Sequence, residues 1–470
     1  MFATANIRPS VRFVRILLSS VVIAQCAFIA PLSAETISDA LSRAYATSPD
    51  LNQQRAGTRA IDENLPKSLA GYRPTVTASV NGGLQHIRTS GPGASKPNYE
   101  TNSDPRGPGL TVTETLYNGW RTPNSVSQSE ALVLQARQTL RLSEQNVLAA
   151  AAAAYMNVLR DTAILSLQKN NIEVLQEQLK QTKDRFQVGE VTRTDVAQAE
   201  ASLAQGQAAA FSAQSNLQSS LATYRQLIGV DPKNLAPAKA IDGIVPTKID
   251  DAINAALTEH PSVQAALYNV DALALAVKIN QGQLLPTVSV SGSIAKNYDY
   301  SGIPDSRYLN GSVIGTISVP LYEGGAVYAS VRQAKEQLSQ AQLQADLARE
   351  QIRAGVVSTW GNFQNTKFVI DANKSAVRAA EIALNGVREE AKVGQRTTLD
   401  VLNAQQTLLQ ARVSLVTSQR DQVVNSYSLT QSVGRLTAER LGLKVTTYDP
   451  TVHYEAVRDK WIGLRTPDGN

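Results

Sequence analysis

The chain has 470 residues, with 45 Lys and Arg against 40 Asp and Glu, one Cys, three His, 7 Phe, 15 Tyr and 3 Trp. One cysteine excludes a disulfide framework or a thiolate metal site, and three scattered histidines (His86, His260, His453) cannot build a His-rich zinc centre. Few aromatics beside 43% apolar residues, many of them Ala and Leu, favour long helices with slim side chains, and no metal or cofactor is expected.

Residues 1–34 read as a secretory signal peptide. Arg8, Arg12 and Arg15 form a basic start, an apolar stretch runs from Ile16 to Ala30, and Pro31-Leu32-Ser33-Ala34 precedes Glu35. The stretch is shorter than the roughly 20 residues that span a bilayer, and Gln25 interrupts it, which argues against a membrane anchor. Gln25 before Cys26 also argues against lipidation, which needs a small residue there. Cleavage near Ala34 exports a chain with no apolar helix long enough to cross a membrane, so any spanning must be done by strands. Three of the net +5 charges leave with this segment, and nucleic acid is not expected as a partner.

The remainder is one unit written twice. Ile37-Ser38-Asp39-Ala40-Leu41 with Ser48-Pro49 is echoed by Ile249-Asp250-Asp251-Ala252-Ile253 with His260-Pro261. Pro74-Thr75-Val76-Thr77 is echoed by Pro286-Thr287-Val288-Ser289, and Leu116-Tyr117-Asn118-Gly119 by Leu321-Tyr322-Glu323-Gly324. Length differs between the copies in a Gly/Pro-rich insert from Arg88 to Gly109, read as a surface loop. Repeat 1, residues 35–230, reads as a helix over Ile37–Tyr72, a β-hairpin over 74–117, a long helix over 122–187, a tip at 188–191 and a helix over 192–228. A linker follows at 231–248. Repeat 2, residues 249–436, reads as a helix over Ile249–Leu284, a hairpin over 286–321, a long helix over 326–392, a tip at 393–396 and a helix over 397–433. A tail occupies 437–470.

The four strands alternate, with Val76, Ala78, Val80 and Leu110, Val112 in one copy. The other has Val288, Val290, Gly292, Ile294 and Val313, Gly315, Ile317, Val319, Leu321. Their opposite faces are mostly Thr and Ser, the weak signature of a membrane β-barrel, although a half-buried soluble hairpin has the same pattern. Tyr117, Tyr298, Tyr300, Tyr308 and Tyr322 fall at strand ends, as interfacial residues do. Four strands cannot close a barrel in lipid, so several copies must pool them, and a trimer gives twelve.

Each long helix, free of proline beyond Pro123, reaches about 100 Å at about 1.5 Å per residue, and the flanking helices are about half as long. Ala149–Ala154 permits close approach, with a seam expected at Leu134, Leu140 and Leu148 and at Leu338, Leu343 and Leu347. A plain coiled-coil rod fits the helices alone.

Both long helices stop at a matched turn. Val188-Gly189 and Val393-Gly394 supply left-handed caps, and Thr192 and Thr397 can cap the helices that follow. Two copies carrying Val-Gly and then Asp195 or Asp400 are more specific than one turn. Here the sequence resembles the TolC family over nearly all of the chain after Ala34.

The resemblance implies an α+β membrane protein. Three chains form a twelve-stranded outer-membrane β-barrel, four strands each, continued by a long α-helical periplasmic barrel with a mixed equatorial region. Val230–Thr247 and the tail from Thr437 would belong to that region, with the stretch after Arg458 disordered. The implied function is a passive gated exit duct in a tripartite efflux or type I secretion system of a Gram-negative bacterium. Its partners would be a periplasmic adaptor and an inner-membrane ABC or RND-type transporter. Thr194, Asp195 and Arg396 would bridge neighbouring hairpins, Asp400 would form an acidic ring on the axis, and Val188, Gly189, Val393 and Gly394 would meet the adaptor.

From the residues alone, Arg396 and Asp400 are spaced to pair on one helix face. Asn403 stands where the family often has a second aspartate, and Ala391 where a tyrosine often precedes the turn, which implies one acidic ring and a weaker lock. No P-loop, GxSxG, HExxH or dinucleotide fingerprint occurs, so an enzyme is not expected. A periplasmic coiled-coil adaptor or scaffold is the rival reading. The cargo, drug or secreted protein, is not legible.

Overall fold

The computed structural model describes residues 34–90, 99–241, 243–467 and 469, and the expected signal peptide lies outside them. The unit from Glu35 onward is described below.

Helix α1, Ile37–Thr47, opens on a capping box: Asp39 N–H donates to Thr36 Oγ1, and Thr36 N–H donates to Asp39 Oδ2. It ends at Ser48, where Pro49 starts α2, Pro49–Asp62, followed by α3, Asn64–Leu69, and a 3-10 turn at Ala70–Tyr72. The same break recurs between α6, Ile249–Glu259, and α7, Pro261–Gly282. The continuous helices expected over Ile37–Tyr72 and Ile249–Leu284 are therefore interrupted. A proline has no N–H to donate and pushes the residue before it out of the helical region, and Ser48 (ψ 121°) and His260 (ψ 127°) are both extended.

Helices α4, Arg121–Gln187, and α5, Arg193–Ile228, form one antiparallel hairpin; α8, Ala326–Lys392, and α9, Thr398–Ser432, form the other. Each long helix has 67 residues, about 100 Å at the α-helical rise. At mid-length Leu148, Ala151, Ala152, Tyr155 and Tyr224 bury against Leu41 and Tyr45 of α1 and against Leu436. Leu235 and Ile241 of the linker and Leu441 and Tyr448 of the tail pack on the same core. The Tyr155 hydroxyl lies within hydrogen-bond reach of the Glu35 and Ala236 carbonyls, at 2.8 and 2.6 Å, so the aromatic ring is buried with its polar tip satisfied.

The leucine seam differs from the sequence expectation. Leu140 and Leu148 are buried, but around Leu343 and Leu347 the buried residues of α8 are Ala334, Ala341 and Ala345, with Val356, Ile370 and Leu384 buried further along. Leu343 is 68% exposed and Leu347 57% exposed. With Val357, Phe368 and Ile382 they fall on one side of the helix, and among the described residues they stay exposed.

Strands β1, Thr75–Gly82, β4, Arg106–Tyr117, β5, Thr287–Tyr298, and β6, Arg307–Ser318, make an antiparallel sheet in the order β1-β4-β5-β6. The insert is more than a loop: β2, Gln85–Thr89, and β3, Tyr99–Ser103, pair as a separate two-stranded sheet, and β4 begins inside it. Strand β6 stops at Ser318, two residues before Pro320, so Val319 and Leu321 lie outside it. A last helix, α10, Pro450–Arg458, packs on α2 and α3.

Candidate functional site

At the first tip Val188 ends α4, and Gly189, at φ 81°, takes the left-handed turn. Glu190 N–H donates back to the Arg185 carbonyl at 2.9 Å, and the Arg185 guanidinium donates to Glu190 Oε1 at 2.6 Å. Thr192 then caps α5: Asp195 Oδ2 accepts Thr192 N–H at 2.9 Å and its hydroxyl at 2.7 Å, while Asp195 N–H donates to Thr192 Oγ1.

The second tip repeats the construction. Gly394 has φ 79°, and Gln395 N–H donates to the Glu390 carbonyl at 2.9 Å. Asp400 Oδ2 accepts Thr397 N–H and the Thr397 hydroxyl, both at 2.9 Å. Arg396 Nε donates to Glu390 Oε2 at 2.8 Å. The charge order across the turn is reversed between the tips, with the base on the helix and the acid in the loop at the first, and the opposite at the second.

The pairing of Arg396 with Asp400 that their spacing allows is not formed. Arg396 precedes the helix cap and reaches back across the turn to Glu390, while Asp400 folds toward Thr397. Among the described residues no hydrogen bond or ion pair joins Arg396 to Thr194 or Asp195. Thr194 and Asn403 are exposed. Val188 and Val393 are 77% and 70% exposed, so each tip displays a bare valine beside its glycine. The Thr-x-x-Asp boxes are readable in sequence, but Arg185, Glu190 and Glu390 are partners that only the turn brings together.

These contacts set the charges. Hydrogen bonds from the Thr397 backbone and hydroxyl, with Arg396 nearby, hold the Asp400 carboxyl below its usual range. The Thr192 hydroxyl and backbone do the same for Asp195, and Arg185 for Glu190. The tip carboxylates are therefore charged at neutral pH.

At the other end the sheet has two unlike faces. Register places Val76 beside Val112, Ala78 beside Leu110, Leu110 beside Ile294, Val288 beside Ile317 and Gly292 beside Val313. The reverse face pairs Thr77 with Thr111, Thr111 with Ser293, and Ser293 with Ser312, whose hydroxyls lie 3.0 Å apart. Apolar residues are open to solvent on the first face, Val80 at 85% and Val313 at 80%. Charge on that face comes toward its ends, with Glu114 near the helices and Arg106, Lys296 and Arg307 around Tyr298 at the far end. Tyr117, edge-on to Trp120, and Tyr322 mark the near end; Tyr300, stacked on Tyr308 at 4.8 Å, marks the far one.

Comparison with known proteins gives the same picture. The family model for outer membrane efflux proteins matches residues 40–230 and 252–435. The chain is 40% identical over 436 residues to outer membrane efflux protein BepC of Brucella suis, covering 93% of each. It is 27% identical to outer membrane protein TolC of Escherichia coli, covering 87% of this chain and 84% of that one. Its fold superposes on the Campylobacter jejuni CmeC outer membrane channel with a TM-score of 0.77 at 16% identity, over 90% of this chain and 89% of the other.

Proposed function

The chain belongs to the outer membrane efflux protein family, and from that premise we propose that three copies join into one gated pore. It is an outer-membrane channel of a Gram-negative bacterium, serving efflux or type I secretion, with a large periplasmic part. The family consists of channels, and the chain is read as a passive duct.

One observation carries the trimeric barrel: the sheet has an apolar face, a hydroxyl face and, among the described residues, two unpaired edges, β1 and β6. In lipid an open edge leaves N–H and C=O groups without partners, at several kcal/mol each by rough estimate. Pairing β1 of one copy with β6 of the next closes a ring of twelve strands, Val and Ile outward and Ser and Thr toward water. The exposed side of α8 supports association, because apolar residues left open among the described residues of one chain can be covered by a neighbouring copy. A periplasmic coiled-coil adaptor, the rival class, gives the amphipathic sheet no task.

At the tips, threefold repetition would place three copies of Asp400 close together, with Asn403 one turn further along as a neutral ring. Because Arg396 is held by Glu390, the lock between hairpins of one protomer rests on Thr194 and Asp195 without it. Val188, Gly189, Val393 and Gly394 form the surface offered to a periplasmic adaptor, which would connect the duct to an inner-membrane transporter.

Cell fractionation followed by planar-bilayer recording tests the function. The protein is expected in the outer-membrane fraction and, once purified, to conduct ions. A chain that stays soluble in the periplasm and does not conduct would overturn the channel reading.

A further inference from the structure

The tail from Tyr448 through α10 to Lys460 runs beside α1, α2 and α3 and is fastened at three levels. Tyr448 N–H donates to the Tyr45 hydroxyl at 2.9 Å, His453 Nδ1 lies 3.1 Å from Asp62 Oδ2, and Arg73 Nη1 donates to the Lys460 carbonyl at 3.1 Å. Residue numbers rise together on both sides, so the strap runs toward the sheet and ends at Arg73, two residues before β1. Beyond Arg458 the chain turns at Lys460–Arg465. The Arg73 guanidinium sits 4.5 Å from the centre of the Trp461 ring, the Lys460 ammonium donates to the Arg465 carbonyl, and Gly463 adopts φ 116° between them.

This turn shows apolar side chains to the outside. Trp461 is 68% exposed, Ile462 89% and Leu464 fully. Lys460 and Arg465 flank them, and no acidic residue falls between. Around the same end of the sheet, Tyr72 precedes β1, Trp120 follows β4 and Tyr322 follows β6, all three exposed. Leaving a Trp, an Ile and a Leu in water is costly, and among the described residues they stay exposed. The order basic, Trp-Ile, Gly, Leu, basic suits a membrane interface, where an indole sits at headgroup level and cationic side chains meet lipid phosphates.

We propose that the turn Lys460–Arg465 inserts Trp461, Ile462 and Leu464 into the periplasmic leaflet of the outer membrane, as a lipid anchor beside the barrel. The occupant is phospholipid: Arg73, Lys460 and Arg465 offer cations to its phosphates while the apolar side chains enter the acyl boundary. Each copy in the trimer supplies one anchor. The inference rests on the barrel reading, because the sheet's apolar band sets the level of that leaflet.

Tryptophan quenching in vesicles tests it on the full chain. A variant with Trp120→Phe and Trp360→Phe keeps Trp461 as its single indole, and a second replaces all three tryptophans with Phe and adds Val313→Trp on the apolar sheet face. Both are reconstituted in phosphatidylethanolamine and phosphatidylglycerol vesicles with and without brominated acyl chains. Brominated lipid is expected to remove roughly half of the Trp461 emission, with little quenching by aqueous iodide. Val313→Trp quenched by bromolipid, with Trp461 quenched only by iodide, overturns the anchor and leaves the barrel standing. Neither indole sensing bromolipid overturns both.

Discussion

Asp400 accepts two hydrogen bonds from Thr397 and so serves as the first-turn carboxylate of α9, whatever else its charge does. The same contacts favour the ionised form, which opposes the upward pull that like charges around a threefold axis would exert. A persistent acidic ring attracts multivalent cations. Hexaamminecobalt(III) added on the tip side is therefore expected to block conductance of the native channel, and Asp400→Ala to lose that block. Thr397→Ala, which removes the cap but keeps the charge, should retain block while first-turn amides of α9 exchange roughly five-fold faster. Block undiminished in Asp400→Ala would remove Asp400 from the pore axis. His260 is a second residue with two faces. Its buried Nδ1 accepts the Ser262 N–H at 3.1 Å and caps α7, which needs the imidazole neutral. Burial, with the Arg141 charge adding to it, pushes its pKa down to about 4 from the usual 6.5. For a base with a depressed folded pKa, the stabilisation is complete above the unfolded value and is lost as pH falls from 6.5 toward 4. The loss amounts to about 3 kcal/mol. Thermal melts at pH 7 and pH 4.5 should show a drop that His260→Asn, which retains a capping side chain, largely abolishes; equal drops would place the titration elsewhere.

At the scale of elements, the exposed side of α8 is where the proposed trimer would bring hairpins of neighbouring copies together. Leu343, Leu347, Val357, Phe368 and Ile382 are exposed in a single chain, whereas Ala334, Ala341 and Ala345 are buried, on the part of α8 that runs past the end of α9. Leu343→Asp with Leu347→Asp should leave helix content by circular dichroism unchanged while lowering the trimer fraction in detergent at least ten-fold. Intact trimer would show that the stripe faces lumen or solvent. The sequence made α4 and α8 legible because nothing but Pro123 interrupts them, and the turns legible because Val-Gly and Thr-x-x-Asp are local signals. It misplaced the α8 seam, since leucine spacing alone does not say whether the partner helix belongs to the same chain. The helix breaks at Ser48-Pro49 and His260-Pro261 were written in residues that also mark the repeat, and proline chemistry there outweighs helical periodicity. The Arg396–Glu390 bridge depended on the tight turn folding the chain back on itself, and the strap at Arg73 on a contact across most of the chain, beyond any local pattern.

For the whole molecule, the repeat and the open sheet edges lead to the same arrangement. Each chain has two long helical hairpins and four strands of one sheet, and among the described residues it neither closes that sheet nor covers the exposed side of α8. In the proposed trimer, association would remove both defects at once, and the barrel wall would turn Ser and Thr hydroxyls inward, with charge gathered at the tips. Such a wall would suit a conduit that does not itself select its cargo. The pooled barrel is tested most directly by native mass spectrometry of the detergent-extracted, conducting protein. A particle of three chains that dissociates to single chains on heating is expected. A conducting particle of one chain would contradict it, because four strands would then have closed a pore alone.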